Sequence, residues 1–236
     1  MNYKKPLIRI TLGDVHQDGL DLLKLSVKKL KKLYSECDVY VCYNTIKKEK
    51  LENIDCDLIC CENTKDVEYA PYKEMWKMYP PRLRIDSHEI VIDNDLLIFS
   101  RIKEIDNFFN GNHAVLLRGK ARSYGKYEHL VPMPYAFNSG FYGMPPYFDF
   151  SEKIKEACKN DLFRKWENWC DDQGVIAYSL TSIEFKIIEP NVIINSFPDE
   201  DKILTETING VHFIGLNRGL RKNWKSLTSK YLISNW

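Results

Sequence analysis

The sequence has no long apolar run and almost no net charge, and each absence excludes classes of protein. No segment approaches the roughly 20 consecutive apolar residues that a membrane-spanning helix requires. The apolar run from Leu7 to Leu12 is short and contains Arg9, so it is not typical of a secretory signal. We therefore expect a soluble, cytoplasmic protein. The formal net charge of +1 gives no strong electrostatic attraction to nucleic acid.

The sequence also lacks the cysteine spacing of a disulfide framework or of a typical zinc site. Its seven cysteines are an odd number and include no Cys-x-x-Cys pair. Cys56, Cys60 and Cys61 are close in sequence, but a structural zinc site normally needs a second, well-spaced pair. Because free cysteine packs as a small hydrophobic residue, we expect reduced thiols that fill strands.

What the sequence does contain is enough apolar material for one ordinary domain. Its 236 residues are 44% hydrophobic and 28% charged, which is sufficient for a core without disulfides or structural metal. This composition excludes disordered and coiled-coil classes. No repeat or linker divides the chain, so we expect a single domain over residues 1–236.

Strand and helix patterns alternate through the first half of the sequence. A buried strand over 7–12 is followed by apolar residues at helical spacing from Leu20 to Tyr34. Further strands are predicted at 39–43, 58–61, 90–92, 114–117, 136–144, 184–189, 191–195 and 211–214, with a second apolar run at 96–99. Further helices are predicted at 72–79, 102–109, 151–166 and 171–180, and the polar stretch 119–134 is predicted to be a loop. This order indicates an α/β fold with a mixed, mostly parallel sheet and helices on both faces.

The motif Asp93-Asn94-Asp95 directly follows the apolar strand at 90–92. Two carboxylates one residue apart at a strand end can share a divalent cation, and Mg²⁺ and Mn²⁺ accept such oxygen ligands. The carboxyl ends of strands are also where α/β folds bind ligands. The alternative is an ordinary turn, because Asp and Asn are common turn residues.

A second motif, His-Phe-Ile-Gly-Leu-Asn-Arg, runs from His212 to Arg218. An imidazole is a suitable third ligand for an ion such as Mn²⁺. Gly215 allows the backbone to approach a bound group closely, and an arginine at 218 is suited to bidentate contact with phosphate oxygens. The alternative is a strand-end histidine that is merely hydrogen-bonded.

Three weaker motifs each have two interpretations. Asn138, in Asn-Ser-Gly, offers a donor and an acceptor for sugar hydroxyls, or belongs to a bulged strand. Asp172 and Gln173 either lie at a helix start, where an acidic residue meets the helix dipole, or face a reaction centre. Arg82, in Pro-Pro-Arg-Leu-Arg, either binds an anionic donor or is a surface arginine.

In their order along the chain, these motifs resemble a nucleotide-sugar-dependent glycosyltransferase of the GT-A fold, most like the glycogenin and lipopolysaccharide-galactosyltransferase type. The resemblance spans roughly Leu7 to Arg218 and begins with Thr11-Leu-Gly-Asp14 after the first strand. It implies a hexosyltransferase that takes its sugar from a nucleotide-diphosphate donor, UDP-hexose, with retention at the anomeric carbon. It also implies a nucleotide-binding half over about 1–100 and an acceptor half over about 101–236.

The resemblance implies a role for each matching residue. Asp93, Asp95 and His212 would hold Mn²⁺ or Mg²⁺ on the donor diphosphate. Asp172 and Gln173 would be the catalytic residues near the reacting carbon. The donor contacts would be Thr11, Asp14, Gly215 and Arg218, and Asn138 would touch the donor or acceptor sugar. Arg82, whose motif rather than the resemblance suggests it, would be a further donor contact.

The sequence departs from the family pattern at two places. Asn94 lies between the aspartates, where the family usually has a small residue. Arg218 replaces the lysine of the late family motif His-x-x-Gly-x-x-Lys-Pro-Trp, and Gly219-Leu220 replaces its Pro-Trp, with Trp224 further along.

Three other functions share part of this pattern. A sugar nucleotidyltransferase can share this sheet architecture, but it normally has a Gly-rich basic phosphate loop near the N-terminus, which 13–16 is not. A haloacid-dehalogenase-type phosphatase has Thr or Val two residues after its second Asp, where this chain has Leu97. The alternative outside the enzymes is a non-catalytic nucleotide-sugar-binding or carbohydrate-binding protein, because a fold does not establish activity.

The expected partners are a nucleotide-sugar donor and an acceptor that is a carbohydrate, a lipid-linked molecule or a protein. No nucleic-acid partner is expected. The basic, aromatic tail that follows Arg218 would suit an anionic membrane surface, but no amphipathic helix is clear in it.

Overall fold

The computed structural model describes residues 4–61, 75–132, 134–159, 170–197, 208–219 and 224–233. The strands in these residues are β1 Leu7–Leu12, β2 Asp38–Tyr43, β3 Asp57–Cys60, β4 Glu89–Asp93, β5 Leu96–Ile98, β6 Ala114–Arg118, β7 Phe137–Met144, β8 Phe185–Ile188, β9 Ile193–Ser196 and β10 Gly210–Phe213. The α-helices are α1 Gln17–Leu33, α2 Lys103–Phe109, α3 Phe150–Lys159, α4 Asp171–Thr181 and α5 Trp224–Ile233.

Seven of these strands form a large sheet in the order β3-β2-β1-β4-β7-β6-β8. The strands β3, β2, β1 and β4 are mutually parallel, and only β7 runs antiparallel to its neighbours. Thr11 at the end of β1 pairs in register with Asp93 at the end of β4. Because β7 runs the other way, its first residues lie at the edge where β4 ends. The topology therefore brings Asn138 to Gly140 beside the carboxyl end of β4.

A second, three-stranded sheet has the order β5-β10-β9. The pairing of β10 with β5 is antiparallel and places His212 opposite Leu96. The backbone N–H of Phe213 donates to the carbonyl of Asp95 over 2.8 Å. The small sheet thus brings a histidine from late in the chain next to the turn between β4 and β5.

Helices cover both faces of the large sheet. On one face, α1 packs over β2 and β5 and α2 over β6 and β8, in one apolar cluster that includes Leu23, Val27, Ile105 and Ile10. On the other face, α3 and α4 pack against the middle strands through side chains that include Ile154, Val175, Leu116 and Tyr142. The predicted α/β class, with a mixed and mostly parallel sheet between two helical layers, is confirmed.

Several local predictions differ from the structure. Within the predicted helix 72–79, residues 72–74 lie outside the described residues and Met75–Met78 form a short 3-10 helix, since Pro80 and Pro81 prevent its continuation. The predicted loop 119–134 contains a 3-10 helix, Gly125–Leu130, that buries Tyr127. The helix predicted at 151–166 is described from 150 to 159.

Two features had no sequence prediction. The second sheet was not anticipated, because its strands are only three or four residues long and pair across distant segments. The helix α5 was not anticipated either; it is anchored by the buried Trp224, which packs near Phe213. Among the described helices, none is both long and apolar enough to cross a membrane.

Candidate functional site

Two carboxylates and one imidazole converge at the carboxyl end of β4. Asp93 is the last residue of β4, Asp95 lies in the following turn, and His212 comes from β10. One ligand atom from each of the three lies within 4.8 Å of the others. Asp95 and His212 are buried, and His212 Nε2 lies 3.1 Å from Asp95 Oδ1. The structure therefore brings together all three residues that the sequence predicted as metal ligands.

The chemistry of this triad fits a divalent cation. Carboxylate oxygens together with one imidazole nitrogen suit an ion such as Mn²⁺. Although burial alone lowers the pKa of His212, the carboxylates of Asp95 and Asp93 raise it above its usual value. Because metal ligation needs the unprotonated nitrogen, a cation bound by this triad would displace any proton on Nε2.

A further carboxylate extends the negative charge of this region. Asp172 is buried at the start of α4. Lys77 is the cation that links it to the triad, with Nζ 2.7 Å from Asp172 Oδ2 and 3.7 Å from Asp93 Oδ1. Three carboxylates thus lie near one lysine and one imidazole, so the negative groups outnumber the positive ones and a bound cation would be stabilised.

The orientation of His212 is fixed from behind by Asn195 in β9. Asn195 Nδ2 donates to the carbonyl of Arg118 over 2.7 Å, so its Oδ1 is left to accept from His212 Nδ1 at 3.2 Å. This hydrogen bond directs Nε2 toward Asp95. Hydrogen bonds to the remote nitrogen commonly fix the tautomer and orientation of ligating histidines. No local sequence signal identifies Asn195, because its role depends on the pairing of β9 with β10.

Gly140 allows β7 to lie directly against the His212 ring. A Cβ at position 140 would overlap the imidazole, so any side chain there would displace the ring or the strand. Asn138 Oδ1 accepts a hydrogen bond from the backbone N–H of Gly140 over 2.8 Å. Asn138, predicted to contact the donor, therefore lies at this edge and stabilises the close approach.

Thr11 supports one of the carboxylates. Its Oγ1 lies 3.1 Å from Asp93 Oδ1, and the side chain is only 4% exposed. A hydroxyl donor at this distance restrains the carboxylate in one rotamer. Thr11 was predicted to contact a nucleotide, and the structure places it beneath the metal-ligand position at the end of β1.

Lys77 was not identified from the sequence, although it contacts three residues of this site. In addition to Asp172 and Asp93, its Nζ lies 3.1 Å from Ser139 Oγ. Burial alone lowers the pKa of Lys77, but Asp172 and Asp93 raise it well above its usual value. The ammonium group is therefore charged and connects the end of β4 with the starts of β7 and α4.

The predicted catalytic pair lies at the start of α4. Asp172 Oδ2 accepts from Ser139 Oγ over 3.2 Å in addition to its contact with Lys77. Gln173 Oε1 accepts from the backbone N–H of Ser139 over 3.1 Å, while its Nε2 donates to the carbonyl of Ser123 over 2.7 Å. Both side chains are buried and held in fixed orientations beside β7.

The remaining predicted donor contacts have different positions. Asp14 is exposed in the segment after β1, and Gly215 begins the turn after β10 with a φ of 88° that favours glycine. The backbone of Arg218 lies in that turn, and its side chain is outside the described part. Arg82 is not brought to this edge: it pairs with Glu89 at the opposite end of β4, with 3.3 Å between Arg82 Nε and Glu89 Oε2.

Two further features border the site. The indole of Trp76 faces Gly13 after β1, where a Cβ would lie 3.7 Å from the ring. A cavity of about 480 Å³ opens beside the carboxyl ends of β2 and β3, with Tyr43, Lys48 and Cys60 in its lining. Both features lie on the β1 side of the triad.

Comparison of this fold with solved structures gives several glycosyltransferases. The galactosyltransferase LgtC, in complex with donor and acceptor sugar analogues, superposes with a TM-score of 0.60 at 10% identity over 97% of this chain and 96% of the other. The bifunctional glycosyltransferase WbbM in its apo form gives 0.58 at 11% identity, covering 92% of this chain and 47% of the other. The apo form of the glycosyltransferase GlyE of Streptococcus pneumoniae TIGR4 gives 0.56 at 13% identity, covering 98% and 64%.

No family model matches the chain, and no curated protein sequence does. At identities this low, the structural likeness shows the fold alone. The chain has the GT-A glycosyltransferase fold, as the resemblance of its motifs implied.

Proposed function

We propose that the protein is a metal-dependent glycosyltransferase that moves a sugar from a nucleotide-diphosphate donor, UDP-hexose, to an acceptor. The observation that carries this proposal is the convergence of Asp93, Asp95 and His212, within 4.8 Å, beside the Lys77–Asp172 ion pair. The GT-A fold supports it, since LgtC has been crystallised with donor and acceptor sugar analogues on the same architecture. The acceptor is a carbohydrate, a lipid-linked molecule or a protein.

In this proposal Asp93, Asp95 and His212 would hold Mn²⁺ or Mg²⁺, which when bound would supply Lewis-acid stabilisation of a diphosphate leaving group. Asp93 and Asp95 supply oxygens and His212 supplies Nε2. Asn195 and Thr11 keep two of these ligands in place. The turn from Gly215 to Arg218 lies after His212 in the chain and is the segment proposed to contact the diphosphate.

The donor and the acceptor are proposed to occupy different halves of the chain. The nucleotide would bind the half over about 1–100, where Trp76, Asp14 and the cavity beside Tyr43 lie on the β1 side of the triad. The acceptor would bind the half over about 101–236.

Lys77, Asp172 and Gln173 are proposed to act at the sugar. A charged lysine in a buried setting stabilises negative charge that develops on a leaving group more strongly than the same group in water. The Asp172 carboxylate, held by Lys77 and Ser139, would stabilise positive charge on the anomeric carbon. Gln173 is held rigidly by Ser139 and Ser123 and would orient the sugar, with retention of configuration proposed for the transfer.

The proposed compartment is the cytoplasm. All seven cysteines are free, and five of them are in or next to β2 and β3. Unpaired thiols at this density suit a reducing compartment.

A panel of nucleotide sugars incubated with the protein, with and without Mn²⁺, tests the proposal. We expect Mn²⁺-dependent release of one sugar or its transfer to an added acceptor, and loss of that activity in Asp93→Ala. Asp57→Ala, which removes an exposed carboxylate at the start of β3, is the matched control and should stay active. Pyrophosphate production would instead identify a nucleotidyltransferase. Binding of a donor with no release would identify a non-catalytic binding protein.

A further inference from the structure

The residue between the two aspartates makes a reciprocal contact across the molecule. Asn94 is 3% exposed, and its Nδ2 donates to Asn217 Oδ1 over 2.8 Å. Asn217 Nδ2 donates back to Asn94 Oδ1 over 3.0 Å. Two carboxamides that exchange both hydrogen bonds satisfy one another without introducing charge. The family pattern has a small residue at this position. The contact with a partner 123 residues away gives a structural reason for asparagine here.

Three segments meet at this amide pair. Asn94 lies in the turn between β4 and β5, and Asn217 lies in the turn after β10. The first turn of α1 closes the junction: the backbone N–H of His16 donates to the carbonyl of Asn217 over 3.2 Å, and Gly19 packs on the pair. A Cβ at position 19 would lie 2.6 Å from Asn217 Oδ1, so there is no space between the helix and the amides.

The strand ladder alone does not fix this arrangement. The pairing of β10 with β5 positions the backbone of His212, but β10 ends at Phe213. The turn that follows, with Gly215 in the left-handed region, lies beyond the ladder. The amide pair is a second connection, made by side chains, between that turn and the residue that separates the two carboxylates.

We infer that the Asn94–Asn217 pair is a positioning device that holds the turn at 215–219 in one geometry against the Asp93–Asp95 turn. Because Asn94 is covalently joined to both aspartates, fixing its side chain on Asn217 restrains the backbone that carries both proposed metal ligands. The pair therefore keeps the carboxylates, the imidazole and the proposed diphosphate-binding turn in register. This inference rests on the proposed function, since it assigns the pair a role in binding the metal and the donor.

Titration with Mn²⁺ alone, followed by calorimetry and by electron paramagnetic resonance, tests the pair directly. Asn94→Ala and Asn217→Ala should each weaken Mn²⁺ binding about tenfold, the lower end of the range for residues that support metal ligands. The double variant should bind Mn²⁺ as tightly as the single variant with the lower affinity, because the two residues act as one unit. The resonance of bound Mn²⁺ should differ from the wild type in both single variants.

Ser26→Ala is the matched control. Ser26 is buried in α1, and its Oγ donates to the carbonyl of Leu96 in β5 over 3.0 Å. The variant therefore removes a buried hydrogen bond that does not involve the amide pair. It should lower the urea midpoint yet leave Mn²⁺ affinity and the resonance unchanged. Should Asn217→Ala fail to fold, Asn217→Ser is titrated in its place by the same criteria.

The outcomes separate the inference from the proposed function. If the wild type binds Mn²⁺ and the asparagine variants bind it as tightly as Ser26→Ala does, the positioning role is wrong while the metal site stands. Losses that multiply to about 100-fold in the double variant would also overturn it, because they would indicate independent residues. If the wild type binds no Mn²⁺, the proposed metal site fails and the inference fails with it.

Discussion

The two ends of β4 both carry buried charge, but the charges are arranged in opposite ways. At the amino end, Glu89 is fully buried between two arginines, with 3.2 Å from Arg9 Nε to Glu89 Oε1 and 3.3 Å from Arg82 Nε to Glu89 Oε2. Arg82 also donates to the carbonyls of Pro145 and Phe148, which close the cluster. At the carboxyl end, the carboxylates outnumber the cations and Asp93 is partly exposed.

This difference distinguishes a structural charge cluster from the proposed binding site on the same strand. A carboxylate between two arginines with backbone carbonyls around it has its partners within the protein, so it holds loops together. A group of carboxylates with too few cations, open on one side, is balanced only when a cation binds. Burial of charge alone therefore does not indicate the proposed site. The excess of carboxylates over cations at one end of β4 does.

The largest effect is expected from removing the acid at the closed end. Glu89→Ala leaves two buried arginines without their counter-ion, and breaking a buried ion pair on one side costs about 3–5 kcal/mol. Urea unfolding should show this loss. Asp93→Asn at the open end should change the free energy of unfolding by less than about 1 kcal/mol, because Asp93 is partly exposed and Lys77 keeps its closer contact with Asp172. Glu184→Ala, at an exposed glutamate, is the control. Equal losses for Glu89→Ala and Asp93→Asn would remove the distinction between the two ends.

The next largest effect concerns the lysine at the open end. Lys77→Met removes the charge that contacts Asp172, and loss of one such stabilising group typically lowers turnover about 10²-fold. Mn²⁺ affinity should be retained or increased, because a cation near Asp93 has been removed. Initial rates and Mn²⁺ titration are measured side by side, with Lys77→Arg as the variant that keeps the charge. A parallel loss of Mn²⁺ binding would show that Lys77 belongs to the metal site rather than to the sugar site.

A smaller effect is expected at the residue behind His212. Asn195→Leu removes the acceptor for Nδ1, and we expect about tenfold weaker Mn²⁺ binding. Asn195→Asp keeps an acceptor for Nδ1 but loses the donor to the Arg118 carbonyl, so it should retain more of the affinity than Asn195→Leu does. Calorimetric titration compares the two. Equal affinities for Asn195→Leu and the wild type would mean that β10 alone orients the imidazole.

The smallest effect is a pH dependence near the closed end. Burial lowers the pKa of His88, whose ring donates from Nε2 to the carbonyl of Gly111 over 2.8 Å. The folded state then binds a proton on His88 less readily than the unfolded chain does. The contribution of His88 to the free energy of unfolding is therefore fully present above the unfolded pKa of about 6.5 and is lost as the pH falls below it. One such group changes the free energy of unfolding by at most about 1.4 kcal/mol per pH unit.

Urea midpoints between pH 5 and 7.5 measure this slope. We expect His88→Phe, which keeps an aromatic ring beside Phe108, to flatten the profile in that range. An unchanged slope would assign the pH dependence to other groups, of which His113 is the nearest candidate because burial lowers its pKa as well.

The sequence was sufficient for features that depend on local pattern. Asp93 and Asp95 follow an apolar strand, and strand ends in an α/β sheet meet at one edge, so their position could be predicted. His212 was identified from the residues around it. The alternation of strands and helices gave the fold class, because the period of the apolar residues differs between the two elements.

The partners of these residues could not be predicted, because they depend on how distant segments pack. Lys77 and Asn195 have no distinctive neighbours in sequence; one reaches the site from a 3-10 helix and the other through the pairing of β9 with β10. Arg82 precedes β4 in sequence and was predicted to bind the donor, but the chain enters β4 at its amino end and leaves Arg82 there with Glu89. The role of Asn94 required the position of Asn217.

A crystal structure with Mn²⁺ and UDP would test the central claim most directly, by anomalous scattering at the manganese edge. We predict one strong peak per chain at the carboxyl end of β4, bonded to an oxygen of Asp93, an oxygen of Asp95 and Nε2 of His212, with the UDP diphosphate on the same ion. A peak elsewhere, or no peak with the His212–Asp95 pair intact, would contradict the account.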